Sequence, residues 1–165
     1  MKLTQLFSLT ALIAVFTYVG YVNASPQETN DDLQCLALNI YHEARSESLA
    51  GQYAVADVVL NRVESPLYPN NVCDVVYQGV MWEGHPVRDK CQFSWYCDGK
   101  SDHPTETDSW YRSIGVAVNI FYNDQFRGIT ESATHYHTDY VNPTWNKSMN
   151  YIGRIGNHLF YLETR

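Results

Sequence analysis

The residues through which this sequence could do chemistry are one acid, two histidines on a strand, and a polar turn between cysteines. The acid is Glu43, within Ile40-Tyr41-His42-Glu43-Ala44-Arg45-Ser46-Glu47. Residues 36, 40, 43 and 47 share one side of a helix, so Glu43 stands on or beside an apolar face. Burial there disfavours the carboxylate, raises its pKa and lets it hold a proton near neutral pH, as a general acid must. The plainer reading is an ion pair with Arg45 or another cation, joining helix to loop. Glu43 with Glu47 would form a carboxylate pair for glycoside hydrolysis. Glu47 falls in a polar turn, however, so one-acid chemistry is the preferred form.

Metal chemistry has weaker support. His42-Glu43-Ala44-Arg45-Ser46 lacks the second histidine of the zinc-protease helix pattern. His135 and His137 alternate along a strand and face one side, but no third ligand is evident nearby. Ordinary hydrogen bonding is their expected use, and no metal is expected. Gln92-Phe93-Ser94-Trp95-Tyr96 offers polar groups for sugar hydroxyls and rings for pyranose faces. It reads equally well as a disulfide-pinned loop whose rings pack inward. Ser94 has no G-x-S-x-G context, which argues against a serine nucleophile.

Four helices must position these groups. Asp31 or Asp32 can cap the first, with Leu33, Leu36, Ala37, Ile40, Tyr41 and Ala44 at helical spacing. A second runs from about Ser48 until Pro66 stops it after Ser65. Asn71 can cap a short third helix through Val75, Val76 and Gly79. Residues 79–105 show no period and read as a long irregular connection. A fourth helix spans about Glu106–Asn123. Beyond Gly128, Ala133–Thr138 and Tyr151–Tyr161 favour short strands, separated by the turn at Asn142-Pro143. Helices followed by strands imply a single α+β domain.

Composition narrows the function classes. The 165 residues carry 11 Lys and Arg against 18 Asp and Glu, a formal charge of −7. That balance lacks the basic footprint of a nucleic-acid binder. Residues 1–24 read as a signal peptide: Lys2, an apolar stretch from Leu6 to Val19, and small residues at Val22-Asn23-Ala24. The stretch is short for a membrane anchor of ~20 residues, so no stable span is expected after its removal. Residues 25–31 read as a flexible leader, and residues 32–165 as the folded domain. Export makes two disulfides the natural use of Cys35, Cys73, Cys91 and Cys97, with three pairings open. The favoured one closes a small loop with Cys91–Cys97 and ties the first helix to the third with Cys35–Cys73.

Five blocks in one order carry a family resemblance. They are Leu36–Glu47, with Gly51–Val63 following it; Val72–Gln78; Cys91-Gln92-Phe93-Ser94-Trp95; Ala133-Thr134-His135-Tyr136-His137; and Ile152–Phe160, with Trp145 before it. The chain resembles the SleB-type cell-wall hydrolases, the family named for spore cortex-lytic enzymes, over nearly all of residues 33–161. Ser46 stands where the family commonly has glycine. The resemblance implies a helix-rich, lysozyme-like domain that cleaves peptidoglycan glycan strands without a cofactor. Spore-cortex members are lytic transglycosylases acting between N-acetylmuramic acid and N-acetylglucosamine, and Glu43 is the implied catalytic acid. Tyr41, Gln92, Ser94 and Tyr136 are expected to shape the groove, Trp95 to serve as a sugar platform, and His137 to give polar support. An exported, periplasmic or extracellular, wall-associated monomer is expected. A glycosidase using water, a zinc amidase built on His135 and His137, and a non-catalytic wall-binding module are the alternatives.

Overall fold

The computed structural model describes residues 26–163. The expected signal peptide lies outside the described residues. Helix α1 spans Pro26–Ala44, so from Pro26 onward the expected leader is helical. Proline suits a first helical turn, where its missing N–H is not needed and its φ is already set. Asp32 therefore lies inside α1 rather than capping it. Its Oδ1 accepts the Cys73 backbone N–H at 2.9 Å, beside the Cys35–Cys73 disulfide that ties α1 to the third helix.

Helix α2 spans Leu49–Glu64, with Ser48 accepting the Gly51 N–H as its cap and Ser65 extended before Pro66. Every residue from Gly51 to Leu60 is buried. A helix buried on all sides is a central one. Against it pack α1, the short α3 (Val72–Val76) and α4 (Thr107–Asn123). Asn71 caps α3 by accepting the Asp74 N–H at 2.8 Å. Helix α3 ends at Val76, three residues short of Gly79. Leu36, Ile40, Val59, Val75, Val116 and Ile120 belong to the core these helices enclose.

Residues 79–105 are more ordered than their composition suggests. Strands β1 (Gly79–Trp82) and β2 (His85–Cys91) form an antiparallel hairpin. Its two-residue connection, Glu83-Gly84, has positive φ at both positions, as a primed hairpin turn requires. The hairpin is largely exposed, so no in–out alternation announces it. A 3₁₀ turn follows at Ser94–Cys97, closed by the second disulfide, Cys91–Cys97.

The C-terminal sheet has the order β3 (His135–Thr138), β5 (His158–Leu162), β4 (Asn150–Ile155), antiparallel throughout. It joins α2 through a second core of Ala54, Val58, Ala133 and Phe160. A turn at Gly156-Asn157 divides what the sequence suggests as one extended run. Gly156 has φ +59°, and a Cβ there would lie 2.5 Å from Glu47 Oε2. Buried Asp57 of α2 holds the preceding loop: it accepts from Gly128 N, Thr130 N and Thr130 Oγ1, and pairs with Arg127. The architecture is α+β and helix-rich, with one more hairpin than expected.

Candidate active site

Glu43 lies in the last turn of α1, one turn beyond Asn39 and next to buried Ala44. Its side chain retains only part of its surface. Tyr136, from the middle of β3, donates its hydroxyl to Glu43 Oε2 at 3.2 Å. Burial raises the Glu43 pKa above the ordinary carboxylate value of 4.5, while the Tyr136 hydrogen bond and the Arg62 charge oppose that shift without cancelling it. The Tyr136 phenol is pushed well above 10 by burial and then by the Glu43 charge. It thus remains a donor at any working pH. The result is a carboxyl able to keep a proton under conditions in which an exposed glutamate has lost it.

Three neighbours complete the surroundings, and none was legible as a site residue. Arg62, 4% exposed on α2, donates through Nε to Thr134 O at 2.7 Å. Its guanidinium lies over the rings of Tyr68 and Phe93 at 5.3 and 5.2 Å. His158 of β5 meets Tyr136 edge-on at 5.1 Å, and burial lowers its pKa, which favours the neutral ring. Asn39 is fully buried, and its Oδ1 accepts the Trp95 indole N–H at 3.1 Å. Among the described residues, five buried side-chain atoms lack any partner, and Asn39 Nδ2, Arg62 Nη1 and His158 Nδ1 are three of them. Orphaned polar atoms are rare in a settled core, so their concentration around one carboxyl marks a site rather than packing. The signal for Asn39 was its i−4 relation to Glu43. For Arg62 it was the one cation of a helix whose run Val58-Val59-Leu60 marks it as buried.

The other expected residues separate. Trp95 is 7% exposed and stacks on His42 at 4.5 Å, which leaves no face for a sugar. Its disulfide-pinned turn packs the ring inward. Tyr41 is 3% exposed, and its hydroxyl accepts the backbone N–H groups of Thr105 and Glu106 at 3.1 and 3.0 Å. Two residues before Glu43, it points to the other flank of α1 and ties down the start of α4. There it borders a polar cavity of about 330 Å³, shared with His42, Arg45, Trp95, Asp98 and Asp102, to which Glu43 does not contribute. His137 is also displaced from the groove role. Strand alternation sends it to the opposite sheet face from Tyr136, where it stacks on Tyr161 and meets Trp145 edge-on. Its Nδ1 lies 2.9 Å from Thr138 O and its Nε2 3.1 Å from the Tyr161 hydroxyl. Glu47 is bound to Asn157, through both backbone and side-chain N–H, so it joins the α1–α2 turn to the sheet rather than pairing with Glu43. Gln92 and Ser94 are exposed, on either side of Phe93, which reaches Arg62.

The pattern that defines the cell wall hydrolases matches residues 46–161. This chain belongs to the cell wall hydrolase family. Among its relatives is a spore cortex-lytic enzyme of Bacillus subtilis strain 168, 31% identical over 133 residues. The match takes in 80% of this chain and 38% of the relative. A spore cortex-lytic enzyme of Halalkalibacterium halodurans is 32% identical over 80% of this chain and 35% of its own length. The chain thus spans less than half of these curated relatives. The solved catalytic domain of Bacillus cereus SleB superposes with a TM-score of 0.60 and 28% identity, over 87% of this chain and 99% of that domain. The catalytic domain of the germination-specific lytic transglycosylase SleB from Bacillus anthracis gives 0.60 and 27%, covering 87% and 100%. The hydrolase pattern begins at Ser46, so Glu43 stands just before it, and its role is argued from its surroundings.

Proposed function

We propose that this cell wall hydrolase cleaves peptidoglycan glycan strands as a lytic transglycosylase, with Glu43 as its only catalytic acid and base. The observation that carries the reading is the Glu43 carboxyl itself: desolvated, raised in pKa, and hydrogen-bonded by Tyr136. In the first step, protonated Glu43 gives its proton to the oxygen bridging N-acetylmuramic acid and N-acetylglucosamine, and the C1–O bond breaks. Positive charge builds on the muramoyl ring as negative charge builds on Glu43. The Tyr136 hydrogen bond and the Arg62 charge stabilise that carboxylate as it forms. Glu43 then takes the proton of the muramoyl 6-hydroxyl, whose oxygen bonds to C1 and closes the 1,6-anhydro ring. Glu43 ends protonated, as it began, and no water is consumed.

One carboxyl suffices for this cycle, in keeping with the attachment of Glu47 to Asn157. The catalytic domain from Bacillus anthracis, named a lytic transglycosylase, supports the same outcome. Exposed Gln92 and Ser94 are the side chains left to meet the glycan from the disulfide-closed turn. Two disulfides fit work outside the reducing cytoplasm, at the wall. Digestion of purified peptidoglycan followed by mass spectrometry of the muropeptides tests the proposal. Anhydromuramoyl ends are expected. Reducing ends, heavier by one water, would make it a hydrolase, and full activity in Glu43→Gln would defeat both.

A further inference from the structure

We propose that the β1–β2 hairpin is a glycan-binding arm. The Trp82 indole stacks on a sugar remote from the scissile bond, and the recess at the base of the hairpin holds the N-acetyl group of a neighbouring sugar. The proposal deepens the glycan-cleaving reading, on which the identity of the ligand rests.

Trp82 is 71% exposed, and its strand neighbours Val80 and Met81 are 55% and 49% exposed. Single apolar side chains on a surface are ordinary, but three in a row on one strand are not. The other tryptophans each meet another ring: Trp95 meets His42, Trp110 meets Tyr41 and Trp145 meets His135. Among the described residues Trp82 meets none, and its strand pairs with β2 alone. An indole left in water adds nothing to the core. Against the face of a pyranose it buries a large apolar surface.

The arm is held firmly at its base. Gln92 donates its backbone N–H to Gln78 O at 2.9 Å, and the Cys91–Cys97 disulfide ties β2 to the 3₁₀ turn. A Cβ on Gly79 would lie 2.9 Å from Cys91 Sγ, an approach that glycine allows without a shift. Phe93 follows Gln92, and its ring lies against Arg62 at 5.2 Å. Arg62 in turn binds Thr134 O, two residues before the Tyr136 that reaches Glu43. The base of the arm and the acid therefore belong to one run of contacts.

An open recess of about 370 Å³ lies at that base, lined by Gln78, Gly79, Val80, Lys90, Cys91 and Gln92. Two carboxamides and an ammonium supply donors and acceptors for hydroxyl and acetamido groups, and Val80 supplies an apolar surface for the acetyl methyl. Trp82 stands two residues beyond Val80, about 7 Å along the strand, on the scale of one sugar step. A lipid surface is the rival occupant for an exposed Val-Met-Trp run. Glu83 and Asp89 offset Arg88 and Lys90 on the arm, however, and the chain carries −7, so nothing draws it to an anionic membrane. An uncharged sugar needs no such attraction.

Binding is read in Glu43→Gln, which leaves the strand uncut, by calorimetric titration with peptide-free glycan strands prepared from peptidoglycan. Trp82 and Gln92 are exposed, so replacing them leaves the packing intact. Trp82→Ala should weaken binding roughly tenfold, the worth of one aromatic contact, and Trp82→Tyr, which keeps a ring face, only about twofold. Gln92→Ala should cost roughly fivefold through its hydrogen bonds. Bound glycan should shift the tryptophan emission to the blue, and Trp82→Ala should abolish that shift. In the active enzyme, Trp82→Ala should raise KM on peptidoglycan while kcat holds, as expected when binding shared by ground and transition states is lost.

An unmoved dissociation constant in Trp82→Ala or in Gln92→Ala would overturn the proposal. So would Trp82-dependent retention by phosphatidylglycerol vesicles with glycan binding unchanged. A Glu43→Gln enzyme that binds no glycan at all would remove the functional reading itself. One that binds, but no more weakly without Trp82, would remove only the arm.

Discussion

Tyr136 and Glu43 are 93 residues apart in the chain, yet the phenol hydroxyl reaches Glu43 Oε2 at 3.2 Å. The bond joins the end of α1 to the middle of β3. Its effect on Glu43 opposes the larger effect of burial, and the balance of the two sets the pH range of the acid.

A general acid works while it is protonated, so activity should hold below the raised Glu43 pKa and fall as the pH passes above it. Tyr136→Phe removes a stabiliser of the carboxylate. The alkaline limb of kcat/KM should therefore move up by about one pH unit, from a hydrogen bond to a charged group worth about 1.5 kcal/mol. A downward shift would show that Tyr136 does not serve Glu43 as a donor. Rate measurements across the pH range in both enzymes decide it.

Stability should respond in the opposite sense to activity at the same residue. A carboxyl whose pKa is raised on folding contributes stability below its unfolded value, and that contribution is lost as the pH rises through the folded one. Above that range wild-type Glu43 is a buried charge, whereas Glu43→Gln is neutral and can still accept from Tyr136. The inactive variant should melt higher at pH values above the raised Glu43 pKa, by about 2–4 °C for each kcal/mol gained. The difference should disappear below pH ~4, where both side chains are neutral. Thermal unfolding at several pH values provides the check.

Tyr41 should prove structural. Its hydroxyl accepts two backbone N–H groups just before α4, and Phe in its place leaves both to water. Tyr41→Phe is expected to cost about 1 kcal/mol of stability, with kcat and KM on peptidoglycan unchanged. A KM raised severalfold would return Tyr41 to the groove.

The two disulfides should differ in worth. Cys35–Cys73 closes a 38-residue separation and Cys91–Cys97 one of 6. Chain-entropy arguments give about 4 kcal/mol for the longer loop and about 2 for the shorter. Urea unfolding of the paired alanine variants should preserve that order. A larger loss from the Cys91–Cys97 pair would mean that the 3₁₀ turn and Trp95 support the core more than loop length implies.

Much of the scaffold is local and could be read along the chain. Ser48, Pro66 and Asn71 mark helix ends because caps and proline act within one turn. Glu43 stood out because it interrupts an apolar helical face, and that interruption is visible without knowing what covers it. The β1–β2 hairpin escaped because its strands lie exposed and show no alternation. The opposed directions of Tyr136 and His137 were implicit in strand alternation, which places neighbours on opposite faces.

Tertiary structure alone decided which groups meet. Helical spacing shows that Asn39 and Glu43 share a face, but not that β3 will bring a phenol to that face or α2 a guanidinium. Nor does local pattern tell an aromatic that binds a ligand from one that fills the interior, as Trp95 shows. Periodicity records how strongly a side chain avoids water. The partner that replaces the water is chosen when segments far apart in the chain pack together, and at Glu43 that partner sets the chemistry.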